Sequence, residues 1–239
     1  MTNKPSILTH LLLFQNKSQL SQVSDMANTS IKYLSLFSGV GTFELAIQRS
    51  FPDAECVGFS EIDTKAQQVY MSHFPTHTPL GDVKNIKDSK LEHVLQQNPN
   101  LIVAGFPCTN LSSYAKVAGE GAGIYADGPS SLFFELLRIV DAVKTHASQQ
   151  GYKLHVVFEN VASMSSAMFQ EITLKLTSKL ETDIHFTVLD AQHFSAMRRR
   201  RVFWTTFEVS STLPDSGSQG IQDILDPVLP LTTATSMQA

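Results

Sequence analysis

The sequence predicts an α/β fold built on a doubly wound, mostly parallel sheet. Three observations point there. From Ile31 onward strand-like and helix-like runs alternate; the run Leu101–Gly105 (LIVAG) is short and wholly apolar, as in strands buried on both faces; and the connections between runs are short. The chain has 239 residues, of which 42% are hydrophobic and 17% charged, below the roughly 25% charged of soluble proteins. That composition excludes intrinsic disorder. The length allows one or two domains with a sizeable core. Eighteen Lys and Arg against 22 Asp and Glu give a formal net charge of −4. This excludes a generic basic nucleic-acid coat protein and leaves room for a local basic patch.

Each element follows from its own pattern. Ile31–Phe37 (IKYLSLF) reads as a strand and Phe43–Arg49 as a helix; Ala54–Phe59 is a second strand, and Thr64–Phe74 a helix stopped by Pro75. After the LIVAG strand, Leu132–Ala147 places apolar residues at 132, 136, 140 and 143, which is helical spacing. Leu154–Glu159 is a strand, Met168–Leu180 a helix, and Phe186–Leu189 and Val202–Phe207 are final strands. Residues 1–29 read as an N-terminal extension: Ile7–Phe14 is apolar but short, and Met26 would lead directly into the first strand. Residues 30–209 then form the main α/β domain, and the Ser-, Gly-, Pro- and Thr-rich residues 210–239 a tail. No run reaches 18 apolar residues, so no membrane span is expected. Cys56 and Cys108, far apart in sequence, form neither a disulfide framework nor a zinc-type pair. A reducing, cytoplasmic setting is the expectation.

In such sheets ligands gather at the carboxyl ends of the strands. The first strand runs into Phe37-Ser38-Gly39-Val40-Gly41-Thr42, where glycines let backbone approach a ligand beside a helix N-terminus. Glu61 stands twenty residues beyond Gly41, and Gly81-Asp82-Val83 adds a second acid, a pattern suited to a nucleoside. The GxG alone is as well explained by a tight turn. Gly105-Phe106-Pro107-Cys108 places a thiol beyond a buried strand, although a free Cys is most often a small core residue. Phe158-Glu159-Asn160 brings an acid to the same edge, otherwise readable as a helix cap. Arg198-Arg199-Arg200-Arg201 precedes the last strand, and strand alternation lets Arg199 and Arg201 point together. His73 and His77 flank Pro75, which breaks any helix that would align them on a metal, so none is expected.

Taken in order, FSGVGTFELA, SEID, GDV, GFPCTNLS, SLFFELLRIV, FENVASM and RRRRVFW resemble the successive motifs of C5-cytosine DNA methyltransferases, over about Ile31 to Thr206. The resemblance implies a Rossmann-like S-adenosylmethionine-dependent methyltransferase fold, with double-stranded DNA as partner. It implies that Phe37, Ser38, Gly39, Gly41 and Thr42 form the cofactor loop, Phe37 lying against the adenine. Glu61 would bind the ribose, Ile62 would pack on the adenine, Asp82 with Val83 would meet its amino group, and Leu132 would line the methionine side. Cys108 would be the nucleophile on Pro107's loop, Glu159 the acid at the base, Asn160 the anchor of that loop, and Arg199 and Arg201 the arginines beside it.

The chain departs from the family at Ser35, Thr109, Ser131 and Met197, none of them a catalytic side chain. The family's recognition region and two final motifs are not recognisable in Thr212–Ala239, where Ile221–Leu225 resembles the start of a recognition region. The expectation is therefore the catalytic part of a split or truncated enzyme, with a second polypeptide supplying recognition and the last cofactor motifs. A non-catalytic remnant or regulatory nucleic-acid-binding subunit, and a tRNA cytosine methyltransferase, are the alternatives.

Overall fold

Strand β1 (Lys32–Leu36) alternates Tyr33 and Ser35 on one face with Leu34 and Leu36 on the other, and all four are buried. Both faces of the sheet are therefore covered, which the apolar LIVAG strand already required. A computed structural model describes residues 30–107, 123–125, 131–193 and 197–209. Within them β1 is followed by α1 (Thr42–Ser50), β2 (Glu55–Ser60), α2 (Thr64–His73), α3 (Asp88–Gln96) and β3 (Leu101–Gly105). Then come α4 (Leu132–Gln150), β4 (His155–Val161), α5 (Ser166–Leu180), β5 (His185–Asp190) and β6 (Arg200–Thr205).

The six strands lie in the order β2-β1-β3-β4-β6-β5. β2, β1, β3 and β4 pair parallel, while β6 runs antiparallel to both neighbours. The order reverses beside β1, so the carboxyl ends of β1 and β3 open a crevice there. On one face Leu34, Leu36, Ile102, Ala104, Val156, Phe158 and Trp204 pack against α3, α4 and α5. On the other, Tyr33, Leu101, Val103 and Phe203 meet Phe43, Ala46 and Ile47 of α1. Trp204 is fully buried and donates its indole N–H to Thr173 Oγ1 at 2.9 Å, so the one Trp costs no unpaired donor.

Helix boundaries have local causes. Asp63 caps α2 by accepting from the Lys65 and Ala66 amides, Ser165 caps α5 through Met168 N, and α4 ends on Gly151 at φ 76°. Two expectations are corrected. α3 was not anticipated, because Lys87 offers no side-chain cap and Val94 is its only buried residue. The final strand spans Arg200–Thr205 rather than Val202–Phe207 and is antiparallel, a direction that residue alternation does not encode. Among the described residues no helix is long and apolar enough to cross a membrane.

Candidate active site

Two clusters line the carboxyl edge of the sheet. The first begins where β1 ends. Phe37, Gly39 and Gly41 take left-handed backbone angles, φ 55°, 56° and 90°, which fold the chain sharply before α1. Gly39 needs hydrogen for conformation alone, since a Cβ there would meet nothing within 4 Å. Gly41 needs it twice, because its Cβ would also come 2.7 Å from Phe74 Cε2. Ser38 is buried and tied to β2 by its amide on Ser60 O at 3.0 Å. Thr42 opens α1, exposed, and no side chain caps that helix end.

Glu61 closes this cluster. Its Oε2 accepts from Gly39 N, and its Oε1 from Ile62 N and Asp63 N, each at 2.8 Å. A carboxylate has about four lone-pair sites, so three amides leave room for a ligand hydroxyl. Ile62 is 69% exposed at the rim. Asp82 Oδ1 caps a short turn through Lys84 N at 2.9 Å. The preceding Gly81 carbonyl accepts from Ser60 Oγ at 2.7 Å, so both acids are held to the end of β2. Val83 is buried in the main core, and Leu132 is packed against that core at the start of α4.

The second cluster joins β3, β4 and β6. Glu159 is the register partner of Gly105 on one side and Phe203 on the other. Arg201 Nε lies 2.6 Å from Glu159 Oε1, with both side chains about one-fifth exposed. Burial raises the Glu159 pKa above its ordinary value, against the pull of the Arg201 and Arg199 charges and the Arg201 hydrogen bond. Buried Asn160 donates from Nδ2 to Phe106 O at 3.0 Å, next to Pro107. Cys108 follows Pro107 and lies outside the described residues.

β6 begins at Arg200, and Arg199, just before it, lines the same cavity as Arg201. Its amide donates to Asp190 Oδ1 at 2.8 Å, and its charge still reaches Glu159. Asp190 was missed by sequence reading. It is 7% exposed, and it also accepts from Gln192 N and faces Arg198 Nε at 3.8 Å. An acid closing a strand, eight residues before a run of arginines, was the available signal. Ala162, Ser163, Met197 and Arg198 to Arg201 line an open cavity of about 420 Å³ at this edge. An acid with a raised pKa beside guanidinium groups can exchange a proton with a bound group while its neighbours stabilise developing negative charge.

The profile described as C-5 cytosine-specific DNA methylase matches residues 31–231. The chain belongs to this family. The type II methyltransferase M.HhaI of Haemophilus parahaemolyticus is 28% identical over 190 residues, which cover 78% of this chain and 52% of that protein. The type II methyltransferase M.MspI of a Moraxella species is 26% identical over 201 residues, covering 80% and 43%. The chain thus spans about half the length of these curated relatives. Among solved structures, a Spodoptera frugiperda DNMT2 mutant superposes with a TM-score of 0.55 at 22% identity, covering 77% of this chain and 52% of that one. That likeness establishes the shared methyltransferase fold.

Proposed function

We propose that the chain carries the catalytic half of a DNA cytosine-5 methyltransferase that uses S-adenosylmethionine. The observation that carries this reading is the Arg201–Glu159 pair at 2.6 Å, on the strand that aligns Glu159 with the β3 loop leading to Cys108. The cofactor side suits an adenosine. Glu61 keeps acceptor capacity beside Gly39, above which a Cβ would find open space. Asp82 adds a second acceptor, and exposed Ile62 an apolar rim. When bound, S-adenosylmethionine supplies an electrophilic methyl group.

The chain's own residues make the cytosine reactive. Carbon 5 of cytosine is a weak nucleophile. Cys108 attacks carbon 6 as thiolate, forming an S–C6 bond and pushing the ring electrons toward C5. Glu159, whose pKa burial raises, donates to ring N3 in its protonated form, and Arg201 stabilises charge at O2. After C5 gains its methyl, a general base removes the C5 proton and the S–C6 bond breaks, restoring the aromatic ring. The thiolate is favoured by the arginine charges at this edge. The base must leave the duplex to reach the site, at roughly a few kcal/mol, offset by phosphate contacts and recognition elements. We propose that a second polypeptide supplies the remaining portion, the recognition elements.

The test is labelled methyl transfer to duplex DNA by the chain supplied with that remaining portion. Cys108→Ser is expected to abolish transfer while S-adenosylmethionine binding persists. Equal loss of cofactor binding would make Cys108 a structural residue instead.

A further inference from the structure

Beneath the cofactor loop lies a buried polar cluster that the reaction does not use. Glu44, on the first turn of α1, has no exposed surface, although its neighbours Phe43, Ala46 and Ile47 are core residues. The Tyr70 hydroxyl donates to Glu44 Oε1 at 3.1 Å and lies 2.9 Å from His77 Nδ1. The tautomer of His77 decides which of the two donates in that contact. Glu44 Oε2 is buried without a hydrogen-bond partner. The Ser35 hydroxyl interacts with Glu44 and lies 2.8 Å from Ser38 Oγ in the cofactor loop. The same Tyr70 ring, stacked on Phe59 at 3.8 Å, with Phe74 forms the floor on which Gly41 rests.

The other titratable groups around Glu44 are Tyr33, Tyr70, Cys56 and, across the Tyr70 hydroxyl, His77, whose burial lowers its pKa and disfavours the cation. A buried carboxylate without a counter-charge is unfavourable by several kcal/mol, and the neutral acid costs less. We propose that Glu44, as a neutral acid, and Tyr70 are positioning residues that hold the Phe37–Thr42 loop in its cofactor-binding shape through Ser35 and Ser38. The cofactor assignment rests on the function proposed above; the seating of the loop does not.

Two measurements separate these ideas. The first is amide hydrogen exchange of residues 38–42 in the ligand-free chain. Glu44→Ala and Tyr70→Phe should each speed exchange there by about tenfold, the size expected when a buried polar group loses its partner. Glu44→Gln, which keeps the shape but carries no charge, should stay within about twofold of the parent. The second is the KM for S-adenosylmethionine, which should rise about tenfold in the first two variants with kcat little changed, and recover in Glu44→Gln. Unchanged exchange in Tyr70→Phe, or Glu44→Gln behaving like Glu44→Ala, would overturn the proposal. Slower exchange in the parent than in Glu44→Ala, with no S-adenosylmethionine binding by the parent, would support the seat and defeat the cofactor reading instead.

Discussion

The edges proposed to hold the cofactor and the base are built from similar acids held in opposite ways. Glu61 is fixed by three backbone amides, so its position is a property of the turn itself. Glu159 is fixed by a guanidinium on a neighbouring antiparallel strand, so its position depends on long-range strand pairing. The first arrangement makes a rigid receptor for a ligand that arrives with its own hydroxyls. In the second, burial and positive charge pull the carboxyl's pKa in opposite directions, and burial prevails. A binding edge gains from fixed acceptors, and a chemical edge from a group whose proton can move.

The comparison can be broken most severely at Arg201. Arg201→Ala is expected to lower turnover about a hundredfold or more, with cofactor binding nearly unchanged, since a preorganised charge acting on the transition state is worth about 3 kcal/mol. Single-turnover methyl transfer measures this; a change in cofactor affinity of the same size would merge the two edges into one. Glu61→Ala frees three amides at the other edge and should weaken cofactor binding by about tenfold to a hundredfold, at about 1–3 kcal/mol. Calorimetry with a non-reactive cofactor analogue reads it directly, and a loss confined to kcat would contradict the assignment.

A smaller effect concerns pH. Burial raises the pKa of both Glu44 and Glu159 above the ordinary 4.5. The folded chain therefore binds more protons than the unfolded chain above that value. Stability falls as pH rises from the ordinary carboxyl range through the raised ones. Glu44→Gln removes one of the two titrations, so its denaturation midpoint should fall less steeply across that window. An unchanged slope would mean that Glu44 is ionised in the folded chain. The smallest effect is expected at the Lys32–Glu55 pair, 3.3 Å apart and largely exposed. Lys32→Ala should cost less than about 1 kcal/mol in chemical denaturation. A larger loss would show that surface charge, and not the two edges, holds β1 to β2.

Much of this was legible in the sequence, for identifiable reasons. Runs such as LIVAG declare a strand buried on both faces, and β3 spans Leu101–Gly105 as read. Glycines at 39 and 41 mark positive φ, and the structure has them there. What sequence could not encode was strand direction and partnership. β6 is antiparallel, and its first residue is Arg200, so the arginine run divides into one residue paired with Glu159 and others anchored near Asp190. α3 escaped because its amphipathic signal rests on few apolar positions, Leu91, Val94 and Leu95. The Glu44 cluster escaped because its members lie on β1, α1, β2, α2 and the turn after it. A charged residue interrupting the apolar stripe of α1 was its one visible trace.

The central claim is that Cys108 bonds to cytosine C6 while Glu159 polarises the ring. Duplex DNA carrying 5-fluorocytosine tests it most directly, because fluorine at C5 blocks the proton loss that releases the thiol. With S-adenosylmethionine and the recognition portion present, a denaturation-stable protein–DNA adduct should form, and Cys108→Ser should form none. Methyl transfer to ordinary cytosine that persists in Cys108→Ser would contradict the account.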